Sequence, residues 1–109
     1  MDTSFEITAV VFEPRLMSDM CTAMVVPHVF ARVEKAVLLI GSLELDGHEL
    51  VPSCRLALQP GEQEYELPAM KLIFPKGAGL PPERTYRFTL RVLAPDHEEI
   101  VFEEEKKLI

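Results

Sequence analysis

The side chains that most often carry chemistry are few in this sequence and lie far apart. The three histidines, His28, His48 and His97, fall in separate segments, and none is paired at a spacing that brings two ligands to one metal. We therefore expect no metal site. We also expect no cofactor, because Gly77-Ala78-Gly79 opens no predicted helix that would cradle a phosphate.

Nucleophilic and acid–base catalysis have no recognisable arrangement either. Ser18, Ser42 and Ser53 lie outside any Gly-x-Ser-x-Gly motif, and the sequence places no histidine or acid to activate them. Carboxylates are abundant, but nothing marks the apolar pocket that raises the pKa of a glycosidase acid. Cys21 and Cys54 fall on predicted inward faces, where free thiols behave as small hydrophobic side chains. We therefore expect a protein that is not an enzyme.

The size and charge of the chain limit its class. Its 109 residues are 48% hydrophobic and 27% charged, which predicts one folded domain spanning residues 1–109. The longest unbroken apolar stretch, Ala36 to Ile40, is far shorter than the roughly 20 residues that span a bilayer. The net charge of −7 argues against nucleic acid and membrane as partners, because both are bound by clustered Lys and Arg. Residues 1–4 lack the start of a signal peptide, so we expect a cytoplasmic protein, with export left open.

The last quarter of the sequence predicts an antiparallel hairpin. Apolar residues alternate with polar ones at period 2 in its first strand: Tyr86, Phe88, Leu90 and Val92 against Arg87, Thr89 and Arg91. Pro95 suits the second position of a type I turn. The chain then returns with Ile100 and Phe102 inward and Val101 outward.

Earlier turns and strands follow the same logic. Asp46-Gly47 is typical of a type I′ turn, since both positions need positive φ, and it joins Val37–Leu45 to His48–Leu58. Two sets of residues are predicted to share an inward face: Leu50, Cys54, Leu56 and Leu58 in the second of these strands, and Phe5, Ile7, Ala9 and Val11 near the start of the chain.

Pro60-Gly61 predicts a type II turn, followed by a strand with Tyr65 and Leu67 on one side. Pro68 interrupts this strand, and the alternation resumes one residue out of step. The inward residues beyond the interruption are Met70, Leu72 and Phe74. A bulge or an edge position would explain both the proline and the slip.

Residues 21–40 fit two structures. Pro27 followed by Val29, Phe30, Val33, Val37 and Ile40 fits a helix, with Gly41 after its end. The strand interpretation has a turn at Glu34-Lys35 and two faces, with Cys21, Ala23, Val25, Val29, Ala31 and Val33 on one and Met24, His28, Phe30 and Arg32 on the other. We favour the strand, because β-branched residues are dense here and every neighbouring segment is a predicted strand.

About seven strands separated by turns predict an all-β fold, an immunoglobulin-like antiparallel β-sandwich. Three segments, Leu43–Gly47, Leu58–Glu62 and Gly79–Phe88, resemble the bacterial immunoglobulin-like and fibronectin-III-like domains of the cell-adhesion-related type. The resemblance implies a tyrosine corner at Tyr86, and it concerns the fold alone. The sequence departs from that pattern at Glu83-Arg84 and His97, and relatives are often exported, which conflicts with the missing signal.

Glutamates cluster in two places: Glu62, Glu64 and Glu66, and Glu98, Glu99, Glu103, Glu104 and Glu105. They are interpreted first as solvated outer faces. The alternative is a negative surface that recognises a basic partner or mimics a nucleic-acid backbone.

Apolar residues on predicted outward faces give the remaining functional indication. Met24, Phe30, Leu38 and Ile40 are apolar where the sheet of a monomer should be polar, so either another part of the chain covers them or they form an interface. We expect a non-enzymatic protein-interaction or assembly module that contacts another protein or itself through these four residues. The alternative is an acidic inhibitor or decoy that binds a basic partner surface.

Overall fold

The computed structural model describes residues 4–16, 22–73, 84–94 and 98–107. Eight strands are found in them: β1 (Phe5–Leu16), β2 (Thr22–Val33), β3 (Val37–Leu45), β4 (His48–Leu58), β5 (Gly61–Glu66), β6 (Met70–Ile73), β7 (Thr85–Leu93) and β8 (Ile100–Lys107). Four features of the sequence analysis lie outside the described residues: the turn at Pro95, the segment Gly77-Ala78-Gly79, and the residues Phe74 and Cys21.

The strands form two antiparallel sheets that pack over one core. In the first, the β2 sheet, β2 pairs with β1 on one side and with β5 and β6, one after the other, on the opposite side. The second, the β3 sheet, has the order β4-β3-β7-β8. The predicted immunoglobulin-like antiparallel β-sandwich is therefore confirmed. The described residues contain eight strands rather than about seven because the strand around Pro68 is divided into β5 and β6.

The core lies between the sheets and is filled by alternate residues of each strand. Phe12 of β1 and Phe88 of β7 are fully buried and stack across the sheets, with ring centroids 5.5 Å apart. Burial of a side chain of this size stabilises the fold by about 1.5–3 kcal/mol. The Lys106 ammonium on β8 donates a hydrogen bond to the Phe12 carbonyl oxygen at 2.9 Å, and this bond links β8 of one sheet to β1 of the other.

The ambiguous segment is β-structure throughout its described part. Along β2 the buried residues are Ala23, Val25, Pro27, Val29, Ala31 and Val33, which are the predicted inward face with Pro27 added. Ser4 accepts backbone hydrogen bonds from Glu34 and Lys35 in the predicted turn, and β3 begins at Val37. The strand interpretation is confirmed.

Pro27 explains why the edge next to β2 is interrupted. Proline has no N–H to donate, so it is rare in a central strand. Residues Thr22–Val25 pair with β6 and His28–Val33 pair with β5, which leaves Pro27 opposite the gap between them. Its carbonyl oxygen accepts a hydrogen bond from the Leu67 N–H at 3.0 Å. The Pro27 nitrogen, which cannot donate a hydrogen bond, therefore lies opposite the interruption between β5 and β6 that was predicted at Pro68.

A β-bulge corrects the prediction for β1. Ile7 pairs with Ala31 but Ala9 pairs with Phe30, so Thr8 is one residue extra and the alternation reverses beyond it. Phe5 and Ile7 face the core as predicted, whereas Ala9 and Val11 are exposed. Their predicted inward places are taken by Val10 and Phe12.

A second irregularity corrects the prediction for β4. Gly41 pairs with Cys54 and Leu43 with Val51, so three steps along β4 match two along β3. Cys54, Leu56 and Leu58 are buried as predicted, but Leu50 lies beyond the slip and is 40% exposed. An inserted residue turns the side chains that follow it to the other face of the sheet, here as far as a further register shift between the Leu43 and Glu44 pairs.

The turn between β3 and β4 has the predicted conformation. Asp46 and Gly47 have φ values of 48° and 85°, the positive values that a type I′ turn requires. The turn also contacts β7. The Asp46 N–H donates to the Arg87 carbonyl oxygen at 2.8 Å, and the Arg87 N–H donates to Asp46 Oδ1 at 2.9 Å.

Candidate functional site

The four predicted interface residues do not share a surface. Met24 and Phe30 point outward from β2, and Leu38 and Ile40 point outward from β3. Because the chain crosses between sheets in the turn after Val33, these pairs lie on opposite outer faces of the sandwich. The prediction of one face carrying all four residues is wrong. Alternation identifies the outward side of each strand, but it does not tell which sheet the strand joins.

The face around Phe30 carries charged side chains among exposed apolar ones, which include Val11 at 38% and Ile73 at 61% exposed. Phe30 is 36% exposed and lies between Ala9 of β1 and Glu64 of β5. Next to it, the Arg32 guanidinium contacts the Glu6 carboxylate at 2.7 Å. The hydrogen bond and the charge of Glu6 raise the pKa of Arg32.

His28 is the centre of this face. Its side chain is 13% exposed, with Nε2 2.9 Å from a Glu13 oxygen and Nδ1 2.7 Å from a Glu64 oxygen. These are ion-pair distances without hydrogen-bond alignment at either nitrogen. A third carboxylate, Glu66, is 3.9 Å from Nδ1. The residue links β1, β2 and β5 and is enclosed by its neighbours.

The face around Leu38 and Ile40 is apolar. Four large aliphatic side chains are 42–52% exposed there: Leu38, Ile40, Leu93 and Val101. Ile40 and Leu93 are direct partners between β3 and β7, and Val101 pairs with Arg91, two residues before Leu93. Partners on one face are about 5 Å apart and diagonal neighbours about 7–8 Å. Leu38, Ile40 and Leu93 are therefore adjacent, and Val101 lies diagonally beyond the Arg91–Glu99 ion pair. We call these four residues the apolar patch.

Sequence reasoning missed Leu93 and Val101 as members of this surface, although it placed Val101 outward. The signal was present. Leu93 continues the polar side of the alternating strand that includes Arg87, Thr89 and Arg91, and Val101 stands between two inward residues on its own strand.

Charged residues border the apolar patch. The Arg91 guanidinium forms ion pairs with Glu44 and Glu99, the latter at 2.9 Å. Hydrogen bonds to Glu44 and then Glu99 raise the pKa of Arg91. On the other side of the patch, Arg55 of β4 pairs with Ile40 in the β3–β4 ladder. Within the described residues, Arg55 forms no ion pair.

The remaining candidate residues are separated or buried. Cys54 is a free, buried thiol, and its Sγ donates to the Gly41 carbonyl oxygen at 3.4 Å. Burial raises the pKa of this thiol. His28 and His48 lie in different sheets, and His97 is outside the described ranges. No group of three potential metal ligands occurs in the described part of the chain.

The two glutamate clusters also lie apart. Glu62, Glu64 and Glu66 extend along β5 in the β2 sheet, and Glu103, Glu104 and Glu105 lie on β8 in the β3 sheet. Since β8 contacts β1, the clusters occupy opposite lateral sides of the sandwich. Glu64 is engaged by His28, and Glu104 contacts Lys106 at 2.8 Å.

A tyrosine hydroxyl bonded to upstream backbone is present at Tyr65. The Gln59 N–H donates to Tyr65 Oη at 2.9 Å, and the hydroxyl donates to the Gln59 carbonyl oxygen at 3.3 Å. Tyr86, the position implied by the resemblance, is buried, and the Arg84 guanidinium lies 4.7 Å from the centre of its ring.

The described ranges hold no helix that is long and apolar enough to cross a bilayer.

The fold resembles parts of two glycosidase structures. An exo-chitosanase of Amycolatopsis orientalis aligns with a TM-score of 0.69 and 14% identity, over 96% of this chain and 13% of the enzyme chain. A β-glucuronidase of Parabacteroides merdae aligns with a TM-score of 0.60 and 19% identity, over 94% of this chain and 13% of the other. No protein-family model matches, and comparison with curated proteins gives no match. At these identities the likeness establishes the β-sandwich fold, without information on the adhesion-related type, and the chain spans about an eighth of each enzyme.

Proposed function

We propose that this chain is a non-catalytic β-sandwich module that binds another protein surface through the apolar patch. The observation that carries the proposal is that Leu38, Ile40, Leu93 and Val101 lie on the outer face of one sheet, each close to half exposed, with the first three directly adjacent. Single exposed aliphatic residues are common on monomers, whereas a connected patch with a charged border is typical of contact surfaces.

The opposite face supports the choice of the apolar patch by contrast. Phe30 is the large aromatic side chain there, and its surroundings carry the Arg32–Glu6 pair and the carboxylates around His28. Covering those groups would remove charges from water, and the desolvation cost offsets much of what such a contact gains. The apolar patch has its charges at the border, where they stay hydrated.

The glycosidase comparisons support a module rather than an independent catalyst. In the two enzymes the similar region is 13% of the chain, so most of each enzyme consists of other structure. We infer by analogy that this sandwich serves beside a larger partner surface. The reactions of those enzymes are properties of those enzymes, and fold likeness alone does not transfer them.

Site-specific photo-crosslinking in the native host tests the proposal. A benzophenone amino acid at position 38 should give discrete protein adducts, because the side chain lies within the proposed contact. The same probe at position 30 is the matched control, since Phe30 is comparably exposed on the opposite face. Adducts from position 30 with none from position 38 would refute the choice of surface.

A further inference from the structure

One lateral row of the β3 sheet has an ordered charge pattern. In the ladders, Arg55 of β4 pairs with Ile40 of β3, and Ile40 pairs with Leu93 of β7. The β7–β8 register pairs Val92 with Ile100, so Glu99, directly before β8, lies beside Leu93. From β4 to β8 the row therefore reads cation, apolar, apolar, anion.

This row is complementary in charge to the same row of a second copy when that row runs in the opposite direction. A two-fold axis that lies in the plane of the interface, parallel to the strands, places β4 of one copy over β8 of the other. The row then meets itself in the opposite order. Arg55 lies over Glu99 of the second copy, and Ile40 lies over Leu93. Both contacts occur twice, as symmetry requires of an isologous interface.

We propose that the occupant of the apolar patch is a second copy of this chain, docked about a two-fold axis parallel to the strands. This inference rests on the proposed function, and it names the partner. Charge complementarity favours it: Arg55, which forms no ion pair within the described residues, and Glu99, which also contacts Arg91 at 2.9 Å, lie at opposite ends of the same apolar row. Leu38 extends the apolar area along β3.

The same geometry predicts where the interface is opposed. Further along the strands, Glu44 pairs with Glu49 and Thr89, and Thr89 pairs with Glu103. In the reversed order Glu49 lies over Glu103 of the second copy, and this contact occurs twice, so like charges repel. The contact is therefore centred on the Ile40 row, and Glu103→Gln should tighten the dimer.

Analytical ultracentrifugation of the purified chain over a wide concentration range tests the proposal. The weight-average mass should rise toward twice the monomer mass, and Ile40→Glu should remain monomeric. Because Ile40 is 48% exposed, this variant should keep its circular dichroism spectrum and unfolding midpoint. Phe30→Glu, on the opposite face, is the matched control and should dimerise as the wild type does.

A charge exchange tests the symmetry. Arg55→Glu and Glu99→Lys should each weaken dimerisation about tenfold, since each change removes both Arg55–Glu99 contacts between copies and places like charges together. Glu99→Lys also breaks the Arg91–Glu99 pair within each copy. The double variant should recover most of the affinity. Single variants without effect, or no recovery in the double variant, would overturn the proposed arrangement.

The outcomes separate the two proposals. A purified chain that stays monomeric at millimolar concentration, together with crosslinks from position 38 to a different protein, would overturn the second-copy inference and leave the interaction module standing. Absence of crosslinks from position 38 and absence of a dimer would overturn both.

Discussion

Substitution of Asp46 tests whether the turn between β3 and β4 stabilises the β3–β7 pairing beneath the apolar patch. Asp46→Ala changes the first residue of the turn between β3 and β4, at a φ of 48°. It also removes Oδ1, which accepts the Arg87 N–H at 2.9 Å. Since Arg87 belongs to β7, the substitution loosens the β3–β7 pairing that sets Ile40 beside Leu93.

Two separate costs make up the expected loss of stability. Alanine in the left-handed region costs about 1–2 kcal/mol, because its side chain lacks the local hydrogen bonding that lets Asp and Asn adopt it. Loss of the hydrogen bond from the Arg87 N–H to the Asp46 side chain costs about 1 kcal/mol. The Asp46–Arg84 pair at 3.1 Å is substantially exposed and adds little. The total is about 2–3 kcal/mol, which lowers the unfolding midpoint by roughly 10 °C or more.

Asp46→Asn is the matched control, because an Asn side chain keeps the acceptor oxygen and its tolerance of positive φ. It should cost less than about 1 kcal/mol. Since the chain contains no Trp, unfolding in urea is best followed by circular dichroism. A loss below about 0.5 kcal/mol for Asp46→Ala, or equal losses for both variants, would refute the assigned role.

Three further predictions concern the core. Phe12→Ala should lower the free energy of unfolding in urea by about 3–5 kcal/mol and Val11→Ala by less than about 1 kcal/mol. A larger loss for Val11→Ala would show that the β1 bulge is not at Thr8. Gly41→Ala should destabilise by about 1 kcal/mol or more, because the added Cβ would lie 3.3 Å from Cys54 Sγ, and Cys54→Ala should relieve part of this loss; additive losses would contradict the contact. Burial raises the pKa of the Cys54 thiol, so the unfolded chain releases that proton first, and stability should fall as pH rises above the ordinary thiol pKa. Cys54→Ala should reduce this alkaline slope, and an unchanged slope would contradict the assignment.

The sandwich was predictable because most of its strands alternate cleanly and its turns use residues with defined conformations. Asp46-Gly47 and the Tyr86–Val92 alternation each fix a turn or a strand face from local chemistry alone. Pro68 gave the interruption between β5 and β6, and Pro27 lies opposite the same gap.

The errors have a common physical origin in register. The residue types around Thr8 do not indicate a β-bulge, since Ala9 and Val11 are apolar, as Val10 and Phe12 are. The bulge is decided by the pairing with β2, which local alternation does not contain. The slip near Val51 exposed Leu50 in the same way.

The candidate site was predictable only in part. The exposure of Leu38 and Ile40 followed from alternation, but their separation from Met24 and Phe30 depended on which sheet each strand joins. The partnership of Ile40 with Leu93 arises from β3–β7 pairing between segments about fifty residues apart, and single-strand patterns carry no such information.

The gap opposite Pro27 affects how copies of this chain can associate through their sheet edges. A long, regular free edge exposes a row of backbone donors and acceptors to which a foreign strand can add, and such edges promote aggregation. Here that edge is divided into six residues of β5 and four of β6, with Pro68 between them. The β4 edge is likewise broken near Pro52. Addition of a foreign strand at these two edges is thereby disfavoured, which favours contacts through side-chain faces on this side of the sandwich.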